Sequence, residues 1–191
     1  MKNSVILLAF IVCIGAQAQP AVGQVSDFSG VNVVNDQRVS LSQFQNEDGV
    51  VVIFRGNECP FDGYYTQRIS DLVKQYGNKV PFLMVNPYLE APEAIDKMKM
   101  YSTVWGLGVP YIADKDQSIM EALGARKTPE AFVLKRGGGK FSIVYGGAID
   151  DNPQLPAGVK QKHLQTAIEA LINGQSQLTA VRATGCTIRK K

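Results

Sequence analysis

The sequence predicts an α/β fold in which helices flank a central mixed β-sheet, and three patterns indicate it. Residues 50–54 and 80–85 are apolar runs of the length expected for buried strands. Between them, residues 64–76 carry apolar side chains at helical spacing, so a crossover should make the two strands parallel. The glycine triplet at 137–139 instead predicts a hairpin between strands at 131–134 and 141–145, which adds an antiparallel pair.

Turn and cap signals predict the remaining elements. Residues 31–34 and 38–41 predict a strand pair with its turn at 35–36, and residues 42–48 a loop or one helical turn. We expect a helix at 91–104, a short strand at 109–113, and a helix that is capped by Asp116 and ends at Gly124. The last helix is expected at 159–172, ended by Gly174.

The N-terminus predicts where the protein works. Residues 1–18 combine Lys2, a short apolar run and an A-x-A site, which are the features of a secretory signal peptide. We predict cleavage before Gln19 and an exported protein, periplasmic or secreted. The mature chain would be a single domain at 19–173 followed by an extended tail at 174–191, with no further segment crossing a membrane.

Composition argues against several classes of partner. The chain has 20 Lys and Arg residues against 17 Asp and Glu residues, and a net charge of +3 is no nucleic-acid signature. His163 is the only histidine, and no Cys, Asp or Glu stands at ligand spacing from it. We therefore expect no metal and no cofactor. The oligomeric state is left open.

Cys59 has the most informative local position. Gly56 and Asn57 end the strand at 50–54, and Pro60 suits the first position of a helix, so Cys59 falls at the helix N-cap. Free backbone N–H groups and the positive end of the helix dipole lower the pKa of a thiol there. The position favours a nucleophilic thiolate.

Neighbouring charges act on this thiol in both directions. Arg55 would favour the thiolate, whereas Glu58 and Asp62 would oppose it. A buried cysteine that serves only as a small apolar side chain is the alternative interpretation of Cys59.

Two cysteines remain after signal cleavage, because Cys13 leaves with the signal. They are Cys59 and Cys186. In an exported protein such a pair is either a structural disulfide or a redox couple, and the count alone leaves both open.

Several segments together resemble one protein family. They are Asn57-Glu58-Cys59-Pro60-Phe61, which is similar to an N-x-C-P motif, residues 109–114 with P-Y-x-x-D, residues 128–132 with T-P-x-x-F, residues 145–152, and the tail segment 184–188. The family is the peroxiredoxin-like redoxin family of thioredoxin-like proteins, of the AhpC/TSA type. The resemblance implies a thioredoxin-like fold in which Pro129 follows a cis peptide bond.

The resemblance also implies roles for individual residues. Cys59 takes the place of the attacking cysteine of thioredoxin-like proteins. Thr128, Pro129, Pro60 and Arg55 are expected to bind the substrate. Substrates and partners would be protein or small-molecule thiols and disulfides.

Departures from the family patterns narrow the chemistry. Asp62 stands where thioredoxins have the second cysteine of C-x-x-C, and the preceding strand carries no acid. A peroxiredoxin needs P-x-x-x-T/S-x-x-C, but Val52 and Gly56 stand at the proline and hydroxyl positions relative to Cys59. Neither dithiol chemistry within C-x-x-C nor ordinary peroxidase chemistry is therefore expected.

We predict an exported thiol–disulfide oxidoreductase in which Cys59 attacks. Cys186 is the candidate resolving thiol, because the tail is short of core-type residues and should cost little to move. A non-catalytic binding or redox-sensing module is the alternative, and a peroxidase with an unusual site is the third interpretation.

Overall fold

A computed structural model describes residues 23–175 and 180–191, and in it helices cover both faces of an eight-stranded sheet. The strands are β1 (Gln24–Val25), β2 (Ser29–Asn32), β3 (Arg38–Ser40), β4 (Gly49–Phe54), β5 (Phe82–Asn86), β6 (Tyr111–Ala113), β7 (Lys127–Thr128), β8 (Glu130–Gly137), β9 (Lys140–Gly147) and β10 (Cys186–Thr187). The α-helices are α1 (Pro60–Tyr76), α2 (Ile95–Trp105), α3 (Ser118–Leu123) and α4 (His163–Ile172). Short 3-10 turns cover Leu41–Phe44, Ala91–Glu93 and Pro156–Gly158. The predicted signal peptide lies outside the described residues.

The sheet is mixed, as the sequence predicts. Its strand order is β1-β9-β8-β4-β5-β6-β2-β3, with β4 parallel to β5 and antiparallel to β8. The glycine triplet forms the β8–β9 hairpin, in which Gly138 and Gly139 have φ angles of 58° and 77° that favour glycine. Strands β7 and β10 form a separate antiparallel pair. Among the described residues, no helix has the length and apolar character needed to cross a membrane.

Strand β4 is the centre of the core. All six of its residues are buried, because helices cover both faces of the sheet here. Its side chains alternate between two hydrophobic clusters: Val51 and Ile53 pack on the face covered by α1 and α4, whereas Val52 and Phe54 pack on the α3 face. The strand is therefore a rigid support for the residues that follow its end.

Helix α1 starts at the predicted cysteine. Cys59 is its N-cap residue and Pro60 its first helical residue, as the sequence predicts, and the apolar spacing at 64–76 lies within this helix. The carboxyl ends of β4 and β5 and the N-terminus of α1 meet at one edge of the sheet. Ligands of open α/β sheets commonly bind at this edge.

Helix α4 is shorter than predicted. The predicted range 159–172 loses its first four residues, since the helix begins at His163. Asp151 accounts for the difference, because its carboxylate accepts the N–H of Lys160 at 2.9 Å and its own N–H donates to the Gln161 carbonyl at 3.2 Å. These bonds occupy the main chain of 160–161 in place of a helical turn.

Helix α3 is capped by a residue other than the one predicted. Asp116 bonds only to the N–H and hydroxyl of Ser118. The carboxylate of Asp114 instead accepts the N–H groups of Ile119 and Met120, at 3.0 and 2.8 Å. Asp114 reaches them because Gln117, at the N-cap, has a left-handed φ of 61° that folds the chain back.

The described part of the tail is packed against the domain, contrary to the expectation that it lacks core-type residues. Ile188 and Ala183 are 6% and 5% exposed, and Ile188 belongs to the cluster on the α3 face. Gln117 donates to the Arg189 carbonyl at 2.8 Å and accepts the N–H of Lys191 at 2.8 Å. Movement of this segment would therefore expose apolar surface and break main-chain contacts.

Candidate active site

A disulfide between Cys59 and Cys186 lies at the N-terminus of α1. The two Cα atoms are 6.0 Å apart, and the cysteines are 127 positions apart in sequence. Cys59 is 6% exposed, whereas Cys186 is half-buried. The disulfide is the oxidised form of the pair that the sequence offers for redox chemistry.

The predicted cis bond lies beside this disulfide. The Thr128–Pro129 peptide is cis, which confirms the expectation drawn from the resemblance. The sulfur of Cys59 is 3.2 Å from the main-chain oxygen of Thr128. Thr128 and Pro129 are therefore placed where they could contact whatever binds to Cys59, and Pro60 is exposed on the adjoining first turn of α1.

The tail strand β10 follows the same loop. Cys186 pairs with Thr128 and Thr187 with Lys127 in an antiparallel register. Ile188 continues the strand, because its N–H donates to the Arg126 carbonyl at 3.0 Å. The main chain that leads into the cis bond is thus already paired with a cysteine-bearing strand.

Tyr88 connects the loop and the tail strand, a role that sequence reasoning missed. Its hydroxyl is 2.8 Å from the Thr128 hydroxyl and 3.4 Å from the Cys186 carbonyl oxygen. Burial raises the pKa of Tyr88 to about 12, so the phenol stays neutral at physiological pH. The neutral phenol can therefore donate a hydrogen bond.

Arg55 and Asp62 form a buried ion pair beneath the site. The Arg55 Nε lies 2.8 Å from Asp62 Oδ1, and the other carboxylate oxygen accepts the N–H of Gly56 at 2.9 Å. The guanidinium also donates to Thr66 at 2.9 Å and lies 3.6 Å from the centre of the Trp105 ring. Burial raises the pKa of Asp62 to about 6, an effect that the charge of Arg55 partly offsets.

This pair changes two expectations. Arg55 is fully buried and its contacts are internal, so the predicted direct contact between Arg55 and a substrate does not fit its position. Asp62, which the sequence placed as a charge against the thiolate, is matched by Arg55. Arg55 is therefore better described as a residue that positions the start of α1.

Glu93 is a second buried carboxylate that sequence reasoning did not identify. Its two oxygens accept the N–H groups of Asn57 and Glu58, at 2.8 and 3.1 Å, and the side-chain amide of Asn86 at 2.7 Å. Three donors converge on one acid, and two of them belong to the loop that precedes Cys59. Glu93 thus fixes the main chain immediately before the cysteine.

One signal could have located Glu93 and Tyr88. Both follow β5, whose carboxyl end lies beside that of β4 in a parallel pair. Residues that follow adjacent parallel strands meet at the same edge of the sheet.

A cleft of about 290 Å³ opens over the disulfide. Its lining includes Glu58, Cys59, Tyr88, Pro92, Cys186, Thr187 and Arg189. A larger cleft of about 440 Å³ lies near β1 and contains neither cysteine. The smaller cleft is the one in which a thiol could approach the sulfur atoms.

The chain matches one family model and several solved structures. The family model described as "AhpC/TSA family" matches residues 22–139. Among curated protein sequences, none matches the chain. The chain is similar to an uncharacterised conserved protein from Geobacillus kaustophilus, with 25% identity over 92% of this chain and 94% of that one, and a TM-score of 0.81.

Two more distant structures carry functional names. A secreted disulfide oxidoreductase from Mycobacterium tuberculosis is 15% identical, with 75% of this chain and 95% of that chain covered and a TM-score of 0.55. An exposed lipoprotein thioredoxin from Streptococcus pneumoniae is 15% identical, with 75% and 98% covered and a TM-score of 0.59. At this identity the likeness concerns the fold alone, and it confirms the predicted thioredoxin-like fold.

Proposed function

Because this chain belongs to the AhpC/TSA family and its only two described cysteines form a disulfide at the start of α1, we propose that it is an exported thiol–disulfide oxidoreductase. The observation that carries the proposal is the position of the Cys59–Cys186 pair at a helix N-terminus beside a cis proline loop. The predicted signal peptide supports export. Secreted and surface-exposed proteins of the same fold are consistent with it.

The reduced protein would act through Cys59. Its thiolate attacks one sulfur of a substrate disulfide, forms a mixed disulfide and releases the other substrate sulfur as a thiolate. Cys186 then attacks the Cys59 sulfur, which forms the internal disulfide and releases the second substrate thiol. The substrate gains two electrons and the protein dithiol loses two, so an external dithiol must reduce Cys59–Cys186 before the next cycle.

The start of α1 is expected to activate the Cys59 thiol. Cys59 is the N-cap residue of α1, where the positive end of the helix dipole stabilises negative charge on sulfur. Arg55 neutralises Asp62 one turn into the helix, and Glu93 holds the loop before the cysteine. Arg55 and Glu93 position Cys59, and Arg55, which is fully buried, has no access to the substrate.

The packed tail favours a second candidate function. If residues 180–191 stay in place after reduction, the disulfide is a structural element or a redox sensor, and the chain is a non-catalytic module. The burial of Ile188 and the contacts of Gln117 with the tail support this candidate. A peroxidase lacks such support, because Gly56 has no hydroxyl to hold a peroxide.

An insulin-reduction assay with dithiothreitol as electron donor separates these candidates. We expect turnover by the full chain, loss of turnover in Cys59→Ser, and a trapped mixed disulfide on Cys59 in Cys186→Ser. Peroxide consumption should not exceed that of Cys59→Ser. Insulin reduction at the rate of Cys59→Ser would overturn the oxidoreductase and support the non-catalytic module.

A further inference from the structure

The tail strand is held in a groove that fixes three of its residues, Gly185, Cys186 and Ile188. Main-chain pairing with β7 holds Cys186 opposite Thr128, and the sulfur reaches Cys59. Gly185, the residue before the cysteine, lies against the cis Thr128–Pro129 bond. Ile188, two residues after the cysteine, lies in an apolar site. Thr187 is exposed. The arrangement resembles a peptide bound to the domain through its cysteine.

The position before the cysteine admits glycine alone. A Cβ atom on Gly185 would lie 2.2 Å from the Thr128 oxygen and 3.2 Å from the Pro129 nitrogen. These are main-chain atoms of the loop beside Cys59, so they cannot move aside like the end of a flexible side chain. Any larger residue would separate the strand from β7 and carry the cysteine away from Cys59.

The position two residues after the cysteine requires an apolar side chain. Ile188 is 6% exposed and packs in the cluster that contains Phe54 and Ile112. Burial of such a side chain favours binding, because it removes apolar surface from water. The residue between, Thr187, is exposed, and its hydroxyl accepts a hydrogen bond from the Lys127 amine at 2.8 Å.

On the basis of the proposed function, we infer that the substrate is an extended polypeptide segment of the form Gly-Cys-x-apolar, which replaces residues 185–188 on β7. The tail is the resident occupant of this site. It holds the site closed while the Cys59–Cys186 bond is intact, because a tethered strand has a high effective concentration. Reduction of that bond removes the covalent link and lets a substrate strand compete.

The test uses the mature chain, residues 19–191, with Cys186→Ser, so that Cys59 is its one thiol, together with two octapeptides. One peptide has the sequence of residues 184–191, the other has alanine in place of the glycine, and each cysteine is activated as a disulfide with thionitrobenzoate. Attack by the Cys59 thiolate forms a Cys59–peptide disulfide and releases coloured thionitrobenzoate. Rates are normalised to the reaction of each peptide with free glutathione.

We expect the glycine peptide to react with Cys59 at least about ten-fold faster than the alanine peptide, the ratio that corresponds to roughly 1.4 kcal/mol. Equal normalised rates would overturn the sequence preference and leave the oxidoreductase chemistry standing. Failure of both peptides to react would overturn the proposed function and this inference together.

A second measurement within the chain keeps the inference testable if the peptides prove insoluble. Gly185→Ala should shift the equilibrium between Cys59–Cys186 and a reference dithiol by about ten-fold towards the reduced protein, because the clash opposes the bonded geometry. Gly137→Ala is the matched control, since a Cβ there meets nothing within 4 Å. Equal shifts in the two variants would contradict the inference.

Discussion

At the scale of single residues, the site depends on how charges are paired around one sulfur. The sequence predicts Cys59 at a helix N-cap, and the structure places it there. It also suggested three independent charges near the thiol, but Arg55 and Asp62 bind each other and are buried. The pairing could not be predicted because it depends on the turn at 56–59, which brings the end of β4 against the first turn of α1.

The thiol of Cys59 should be more acidic than an ordinary cysteine. In Cys186→Ser, where Cys59 is free, we expect the midpoint of its pH-dependent alkylation rate below the free-thiol pKa of about 8.5, because the helix N-terminus stabilises the thiolate. In the mature chain Cys59→Ser retains only Cys186, so it is the matched control and should titrate at a higher pH. A Cys59 midpoint at or above the control would remove the main support for catalysis.

The ionisation of Asp62 should make stability depend on pH. Its pKa rises from 3.8 to about 6 on folding, because burial disfavours the charged form. Between these values the folded chain binds the proton more tightly than the unfolded chain, so the free energy of unfolding falls as pH rises from about 4 to about 6. The loss approaches about 3 kcal/mol for a shift of this size.

Urea unfolding of the oxidised protein measures this effect. The difference in free energy of unfolding between the natural chain and Asp62→Asn should decrease across that pH window. Asp71→Asn, on the exposed face of the same helix, is the control and should change the difference by less than about 0.5 kcal/mol. A difference between the natural chain and Asp62→Asn that stays constant with pH would contradict the assignment.

At the scale of elements, prediction succeeds where a local pattern has one solution. The apolar run at 50–54 became the central strand, and the glycine triplet became a hairpin. Prediction failed where a side chain outside the local pattern determines where a helix begins, as Asp151 does for α4. The choice between Asp114 and Asp116 as the cap of α3 depended on the left-handed Gln117, which the sequence pattern does not reveal.

The cap of α3 gives a direct comparison of two neighbouring aspartates. Asp114→Ala should lower the free energy of unfolding by about 1–2 kcal/mol, because it leaves the N–H groups of Ile119 and Met120 without their acceptor. Asp116→Ala removes only bonds to Ser118 and should cost less. Chemical denaturation of both variants measures this, and an equal or reversed order would contradict the assignment of Asp114 as the cap.

At the scale of the whole molecule, one disulfide joins the N-terminus of α1 to the C-terminal tail. The disulfide closes a separation of 127 residues, and the tail then packs on Gln117 and the α3-face cluster. The tail could not be predicted as part of the core, because its single buried isoleucine resembles an ordinary residue of an exposed segment.

Reduction should therefore destabilise the fold substantially. In the chain-entropy model, a disulfide that closes a loop of this length raises the free energy of unfolding by on the order of 5 kcal/mol. Urea unfolding of the natural chain with and without dithiol measures the loss. Cys59→Ser should match the reduced protein, and a loss below about 1 kcal/mol would mean that the bond does not restrict the unfolded chain.

The reduction potential of Cys59–Cys186 tests the central claim most directly. A catalytic couple must exchange with substrates, and stabilisation of the Cys59 thiolate by the start of α1 favours the reduced form. Mass spectrometry of the full chain equilibrated in graded dithiol buffers should therefore give a potential well above about −300 mV. A value at or below about −300 mV would identify a permanent structural disulfide and contradict the oxidoreductase.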